Sequence, residues 1–172
     1  MVGANTGHTE VADPIAIATA YVEMWNTQDD AEIPNLVSET FVMYDPGAPA
    51  DGVPGPKREV HGQDGLRQFM EGVTTAYPDF EISMGKLLAD DTVAMYEARL
   101  TGTHDGMLFG LPPTGRRVDI HLVSKLTLED GVVSEHRVYF DMQEVLEQLG
   151  LTFPTVIGQL PKLVVGKVRA SL

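Results

Sequence analysis

The chain contains no cysteine. A disulfide scaffold, a zinc site built on thiolates and a cysteine nucleophile are therefore excluded. Basic residues are scarce. Twelve Lys and Arg stand against 25 Asp and Glu, for a formal net charge of −13. A nucleic-acid binder needs a basic face, and there is little here to build one. No window approaches 18 apolar residues, so no segment reads as a membrane span. The stretch before Asp13 has Glu10 and no basic residue ahead of an apolar run, which does not read as a signal peptide. These absences point to a soluble cytoplasmic protein without nucleic-acid or membrane partners.

What is present is one domain's worth of sequence: 172 residues, 43% of them hydrophobic. That suffices for a real core. The reading divides the chain into an extension at 1–12, a domain at 13–151 and a tail at 152–172. The tail is set apart by charge. No acid occurs from Gln148 to Leu172, while Lys162, Lys167 and Arg169 are basic.

Asp13-Pro14 is a helix-start signal, a capping acid followed by proline in the first turn. Ile17, Tyr21, Met24 and Trp25 follow at helical spacing, and Asn26 to Asp30 stops the helix. A short helix with Ile33, Leu36 and Val37 comes next, then a strand from Phe41 to Asp45. Residues 46–62, rich in proline and glycine, read as a long loop of the kind that forms lids or mouths. Leu66, Phe69, Met70 and Val73 mark a third helix. Strands are predicted at about 80–89, 92–104, 117–128 and 132–140. Asp90-Asp91 and Glu129-Asp130-Gly131 are hairpin turns, and 105–116 is a longer loop. Met142 to Leu149 is a short helix closed by Gly150. Helices followed by an antiparallel meander predict an α+β layer fold with a cavity between sheet and helices.

Several segments carry a resemblance. His61-Gly62-Gln63-Asp64-Gly65-Leu66 with Phe69, then Ala76-Tyr77-Pro78-Asp79-Phe80, resembles the middle of the SnoaL-like polyketide cyclase family. Gly102-Thr103-His104-Asp105-Gly106 with Gly110-Leu111-Pro112-Pro113-Thr114-Gly115-Arg116 resembles a loop of the same family. So does Asp130-Gly131-Val132-Val133 leading to Glu135-His136, and Asp141 with Gln148-Leu149-Gly150. The resemblance implies the nuclear transport factor 2-like cone, a bent antiparallel sheet wrapped over N-terminal helices around a pocket. It also implies a homodimer through the outer sheet face. That fold serves cyclases, isomerases, hydrolases and binding modules alike, so it does not settle function.

Ketosteroid isomerase shares the fold. Its helix-1 tyrosine matches Tyr21, its base in an Asp-Pro step matches Asp45-Pro46, and the spacing agrees. Its second acidic donor falls near Val123, where no donor stands, so the activity is not carried over. Limonene epoxide hydrolase needs an Arg-x-Asp step, whereas Arg99 is followed here by Leu100 and Thr101. With the register set near 123, alternation places Asp119, His121, Val123 and Lys125 on the pocket face. The same reasoning places Glu135, Arg137, Tyr139 and Asp141 on the pocket face of the last strand.

The resemblance implies an acidic general acid/base on the last strand and a histidine on the strand before it. Glu135 and His121 are the matching positions. Tyr21, Trp25, Asp45, Asp119, Arg137 and Tyr139 are the expected substrate contacts. The chemistry implied is proton removal next to a carbonyl, followed by aldol closure, with no metal and no cofactor. The expected ligand is a small hydrophobic carbonyl compound, and the rival readings are a non-catalytic ligand carrier and a dimeric scaffold. Asp141 reads first as a helix cap and His104 as turn geometry. His61 and His136 read as surface residues. Phe109, Leu111, Phe153, Leu160, Leu163, Val164 and Val168 are candidates to line or cap the pocket mouth.

Overall fold

The computed structural model describes residues 13–170; the expected extension at 1–12 lies outside them. Asp13 caps the first helix, its carboxylate accepting the Ile15 N–H at 3.0 Å. That helix, α1 (Pro14–Thr27), buries Ala18, Tyr21, Val22, Met24 and Trp25. A 3₁₀ turn (Asp30–Glu32) and the short α2 (Ile33–Leu36) lead into β1 (Val37–Tyr44). Val37 therefore starts a strand that runs longer than predicted. A short β2 (Glu59–His61) occupies the end of the predicted loop.

The third helix, α3 (Gly62–Ala76), turns Leu66, Phe69, Met70 and Ala76 to the core, the spacing that gives a helix one apolar face. Four long strands follow: β3 (Glu81–Ala89), β4 (Val93–Thr103), β5 (Arg117–Glu129) and β6 (Val132–Tyr139). Asp141 then caps α4 (Met142–Gln148), accepting the Gln143 N–H at 2.8 Å. Gly150 closes it with φ of 71°, a left-handed conformation that glycine adopts without a steric penalty. The predicted tail is largely helical, as α5 (Val156–Ala170).

The six strands form one sheet in the order β2-β1-β6-β5-β4-β3. Every neighbouring pair is antiparallel except β1 and β6, which run parallel with Met43 opposite His136. Its inner face packs on α1 and α3. This is the expected α+β cone, a bent sheet wrapped over helices.

The strand faces correct one expectation. On β5 the buried side chains are Val118, Ile120, Leu122, Ser124, Leu126 and Leu128. Asp119, His121, Val123, Lys125 and Thr127 face outward. The register taken from position 123 was therefore off by one residue, which in a strand exchanges the two faces. On β6, His136 and Val138 point inward, while Glu135, Arg137 and Tyr139 point out. A β-bulge causes the change of face. Thr127 pairs with Glu135 but Leu128 pairs with Val133, so Ser134 is the extra residue.

Candidate active site

The cone encloses a cavity of about 230 Å³. Its wall is apolar, with Trp25, Phe69, Phe80, Ile120, Leu122 and Phe140 among the contributors. Tyr21, Asp45, Tyr96, Ser124 and His136 are among the hydrogen-bonding side chains that interrupt that wall. They come from α1, the end of β1, β4, β5 and β6.

Asp45 follows β1 immediately before Pro46. The chain turns there because its Oδ1 accepts the Gly47 N–H at 2.6 Å, an Asx turn. Backbone bonds from Asp45 N–H to Arg58 and from Ala48 N–H to Asp45 fix the corner. The side chain is buried, and among the described residues it has no cationic partner. Burial pushes its pKa up to about 6, with the Gly47 N–H opposing. A carboxylic acid so placed changes charge close to neutral pH.

Tyr21 lies across the cavity wall on α1 and has no exposed surface. Its hydroxyl is 3.1 Å from His136 Nδ1, and His136 Nε2 is 3.0 Å from Ser124 Oγ. Burial holds the proton on the Tyr21 phenol far above the usual range, and the nearby Asp45 charge adds to this. Burial drives the His136 pKa down to about 3, so its imidazole is neutral at physiological pH. Tyr96 stands opposite Ser124 in the β4–β5 pair and is pushed up to about 12 by burial.

The residues expected to carry catalysis are elsewhere. Glu135 forms a two-pronged ion pair with Arg137 on the outer sheet face, at 2.8 and 3.0 Å. That guanidinium lies 3.9 Å over the Tyr44 ring. Asp119 pairs in the same two-pronged way with Arg99. Arg137 holds the Glu135 carboxyl below the usual carboxylate range, and Arg99 does the same for Asp119. Both are the opposite of what a tuned base requires. His121 and Tyr139 are exposed. Tyr21, Trp25 and Asp45 do line the cavity, whereas Asp119, Arg137 and Tyr139 do not. Nor do Asp119, His121 and Glu135 gather: among the described residues, no group of three acids or histidines stands close enough to hold a metal ion.

His136 was the residue missed, together with Ser124 and Tyr96. For Ser124 and Tyr96 the signal was present, because the even-numbered apolar residues of β5, and Ala94 and Ala98 of β4, mark the inner faces directly. For His136 the bulge hid it.

The loop at 105–116 closes one end of the cavity. Leu108 and Leu111 exchange backbone bonds at 3.0 and 2.7 Å around a tight turn. Phe109 and Gly110 occupy its centre with φ of 43° and 88°. Phe109 thereby lays its ring flat on Phe69, with centroids 5.7 Å apart and planes within 4°. His104 anchors the loop from within: it is fully buried, beside Tyr77, and its Nδ1 accepts the Thr114 N–H at 3.3 Å. Of the proposed mouth residues, Phe109 and Leu111 line the cavity. Phe153, Leu160 and Val164 are exposed, and the Val168 side chain lies outside the described residues.

Gly72 makes room for the Phe109 ring. A Cβ there would sit 2.4 Å from Phe109 Cε1. Gly72→Ala should swing the ring off Phe69 while costing little stability, because alanine recovers about 1 kcal/mol of helix propensity. Trp25, the chain's single tryptophan, meets Phe69 edge-on at 6.2 Å and reports the change. Shifted fluorescence with a nearly unchanged urea midpoint is the expected result.

Against known proteins, the model of the SnoaL-like polyketide cyclase family matches residues 15–149. The chain belongs to that family. A nogalonic acid methyl ester cyclase from Streptomyces nogalater is 40% identical over 62 residues, 36% of this chain and 46% of that enzyme. An aklanonic acid methyl ester cyclase from Streptomyces peucetius is 37% identical over the same length, 43% of that enzyme. The similarity thus spans under half the length of these curated relatives. Among solved structures, AclR from Streptomyces galilaeus, provisionally named a hydroxylase, is 30% identical with a TM-score of 0.65. The match covers 83% of this chain and 98% of AclR. IdmH from Streptomyces antibioticus, provisionally named a polyketide cyclase, is 22% identical with a TM-score of 0.68. That alignment covers 80% of this chain and 99% of IdmH, and shares the fold.

Proposed function

We propose that the chain is an enzyme that moves a proton on a neutral, hydrophobic carbonyl compound, as the first step of a cyclisation or isomerisation. Asp45 is the general base and Tyr21 the donor to the developing enolate oxygen. One observation carries the reading: a buried carboxylate without a cationic partner stands on the wall of an apolar cavity, with a buried phenol in the same wall. The carboxylate removes a C–H proton next to the carbonyl. The phenol hydrogen-bonds to the oxygen on which negative charge grows, a stabilisation that is largest where water is excluded. Relatives named as methyl ester cyclases support a carbonyl substrate. The apolar wall supports a neutral one, because an anion would meet Asp45 and no cation among the described wall residues.

The test is hydrogen–deuterium exchange at the activated C–H of 2-tetralone, a neutral bicyclic ketone, followed by NMR. Exchange should be catalysed and should rise with pH through about 6, as Asp45 ionises. Binding without exchange would leave a ligand carrier instead. Glu135→Gln should leave exchange unchanged and shift stability by less than about 1 kcal/mol, since its ion pair with Arg137 is on the outer face. Loss of exchange in that variant would return Glu135 to the site.

A further inference from the structure

We propose that His136 is a positioning residue for Tyr21, taking the Nδ1–H tautomer when a carbonyl compound binds and so freeing the Tyr21 proton for that ligand. The inference rests on the proton-transfer reading above. Tyr21, His136 and Ser124 form one buried row, joined at 3.1 and 3.0 Å. The imidazole stands edge-on to the phenol, with planes at 86°. Around it stand Tyr21 from α1, Ser124 and the paired Leu126 from β5, and Met43 of β1, its neighbour in the parallel pair. No carboxylate bonds the ring among the described residues, and burial keeps it neutral.

A neutral imidazole has one N–H and one acceptor nitrogen, so the two bonds must run in the same direction. In one state Tyr21 donates to Nδ1 and Nε2–H donates to Ser124. The phenol proton is then committed to His136. In the other state Ser124 donates to Nε2 and Nδ1–H donates to the Tyr21 oxygen. The phenol proton is then free to point into the cavity. Only the second state lets Tyr21 serve an enolate oxygen. Passing between them leaves one proton fewer on Nε2 and one more on Nδ1 and reverses both hydroxyls, so the ring stays neutral and no net charge moves. Ser124 suits this role because a hydroxyl both donates and accepts. Alanine would leave Nε2 without a partner.

The tautomer can be read directly. The full chain, labelled with ¹⁵N-histidine, is examined by NMR alone and saturated with 2-tetralone. The Nδ1–H tautomer of His136 should dominate in the complex. Ser124→Ala should slow exchange about tenfold, the loss of roughly one hydrogen bond's stabilisation. Its affinity for 2-tetralone should be unchanged, and Ser124→Thr should restore the rate. Both roles cost stability when Nε2 loses its partner, but a group that only shapes the fold would alter affinity and leave the rate of the bound complex unchanged. An Nε2–H tautomer persisting in the complex, with exchange still catalysed, overturns the role of His136 and leaves the proton-transfer reading standing. Binding without exchange overturns that reading, while the tautomer still judges His136. Absence of binding removes both.

Discussion

Asp45→Asn is expected to abolish 2-tetralone exchange and, at pH 7, to make the fold more stable by roughly 2–3 kcal/mol. The two effects share one cause. Burial raises the Asp45 pKa from the usual 3.8 to about 6. The folded protein therefore binds that proton more tightly than the unfolded chain does. Its contribution to stability is fully present below pH 3.8 and is lost as pH rises through about 6. Above that, the folded state carries an ionised carboxylate facing an apolar wall. Asparagine keeps the acceptor for the Gly47 N–H and removes the charge.

His136 has the opposite slope. Its pKa is lowered by burial to about 3, so protonation of the unfolded chain below about 6.5 erodes stability as pH falls. The parent's own pH profile is therefore flattened between about pH 4 and 6. The difference between parent and Asp45→Asn isolates the carboxyl, because His136 is common to both. Urea denaturation of the two proteins from pH 4 to 8 measures it. The gap should be near zero at pH 4 and fully open above pH 6 to 7. Equal stabilities at pH 7 would mean that the Asp45 carboxylate is well solvated, and would end its candidacy as a tuned base.

Gly106→Ala should have the largest effect outside the polar row, a loss of about 3 kcal/mol from overpacking. A Cβ at 106 would lie 2.0 Å from the Thr75 carbonyl oxygen, which is backbone and cannot rotate away. To relieve the clash, the loop must lift from the end of α3. The Asp105 and Gly106 N–H groups then lose the Ala76 carbonyl they share, at 3.0 Å each. Gly110 gives a contrast within the same loop. Nothing lies within 4 Å of a Cβ there, but its φ of +88° is left-handed, so alanine costs only about 1 kcal/mol of backbone strain. Because Leu108, Phe109 and Leu111 wall the cavity, Gly106→Ala should also speed 2-tetralone release. Urea midpoints and stopped-flow Trp25 fluorescence separate the two variants. Equal midpoints would show that the loop does not rest on α3 as described.

The elements of the fold were legible because each carried its own local signal. Asp13-Pro14 opens a helix by capping chemistry, Asp141 opens another, and Gly150 ends it. The candidate site was legible only in part. Tyr21, Trp25 and Asp45 were singled out and do line the cavity. The inner faces of β5 and β6 were assigned wrongly, for two different reasons. On β5 the alternation Val118-Ile120-Leu122 was plain, and a register borrowed from a distant fold relative overrode it. On β6 the sequence alternation breaks at Ser134, where the bulge lets Val133 and His136 share a face. A bulge is a property of the pairing with β5, so β6 read alone cannot show it. The partly buried outer face misled as well, because Asp119, Arg137 and Glu135 look like an active site until the ion pairs that occupy them are seen.

The parallel pairing of β1 with β6 has a consequence for the order in which the molecule can assemble. It brings Met43 opposite His136, and Tyr21 reaches the same histidine across 115 positions of sequence. Closing so long a stretch of chain is entropically costly and slow, so such contacts tend to form late in folding. During synthesis, Tyr21 and Asp45 leave the ribosome long before the strand that completes their wall. Until β6 arrives, the edge of β1 that it covers has no partner strand. The raised proton affinity of Asp45 thus depends on parts of the chain far from it in sequence, β6 and α4, which complete the wall around it.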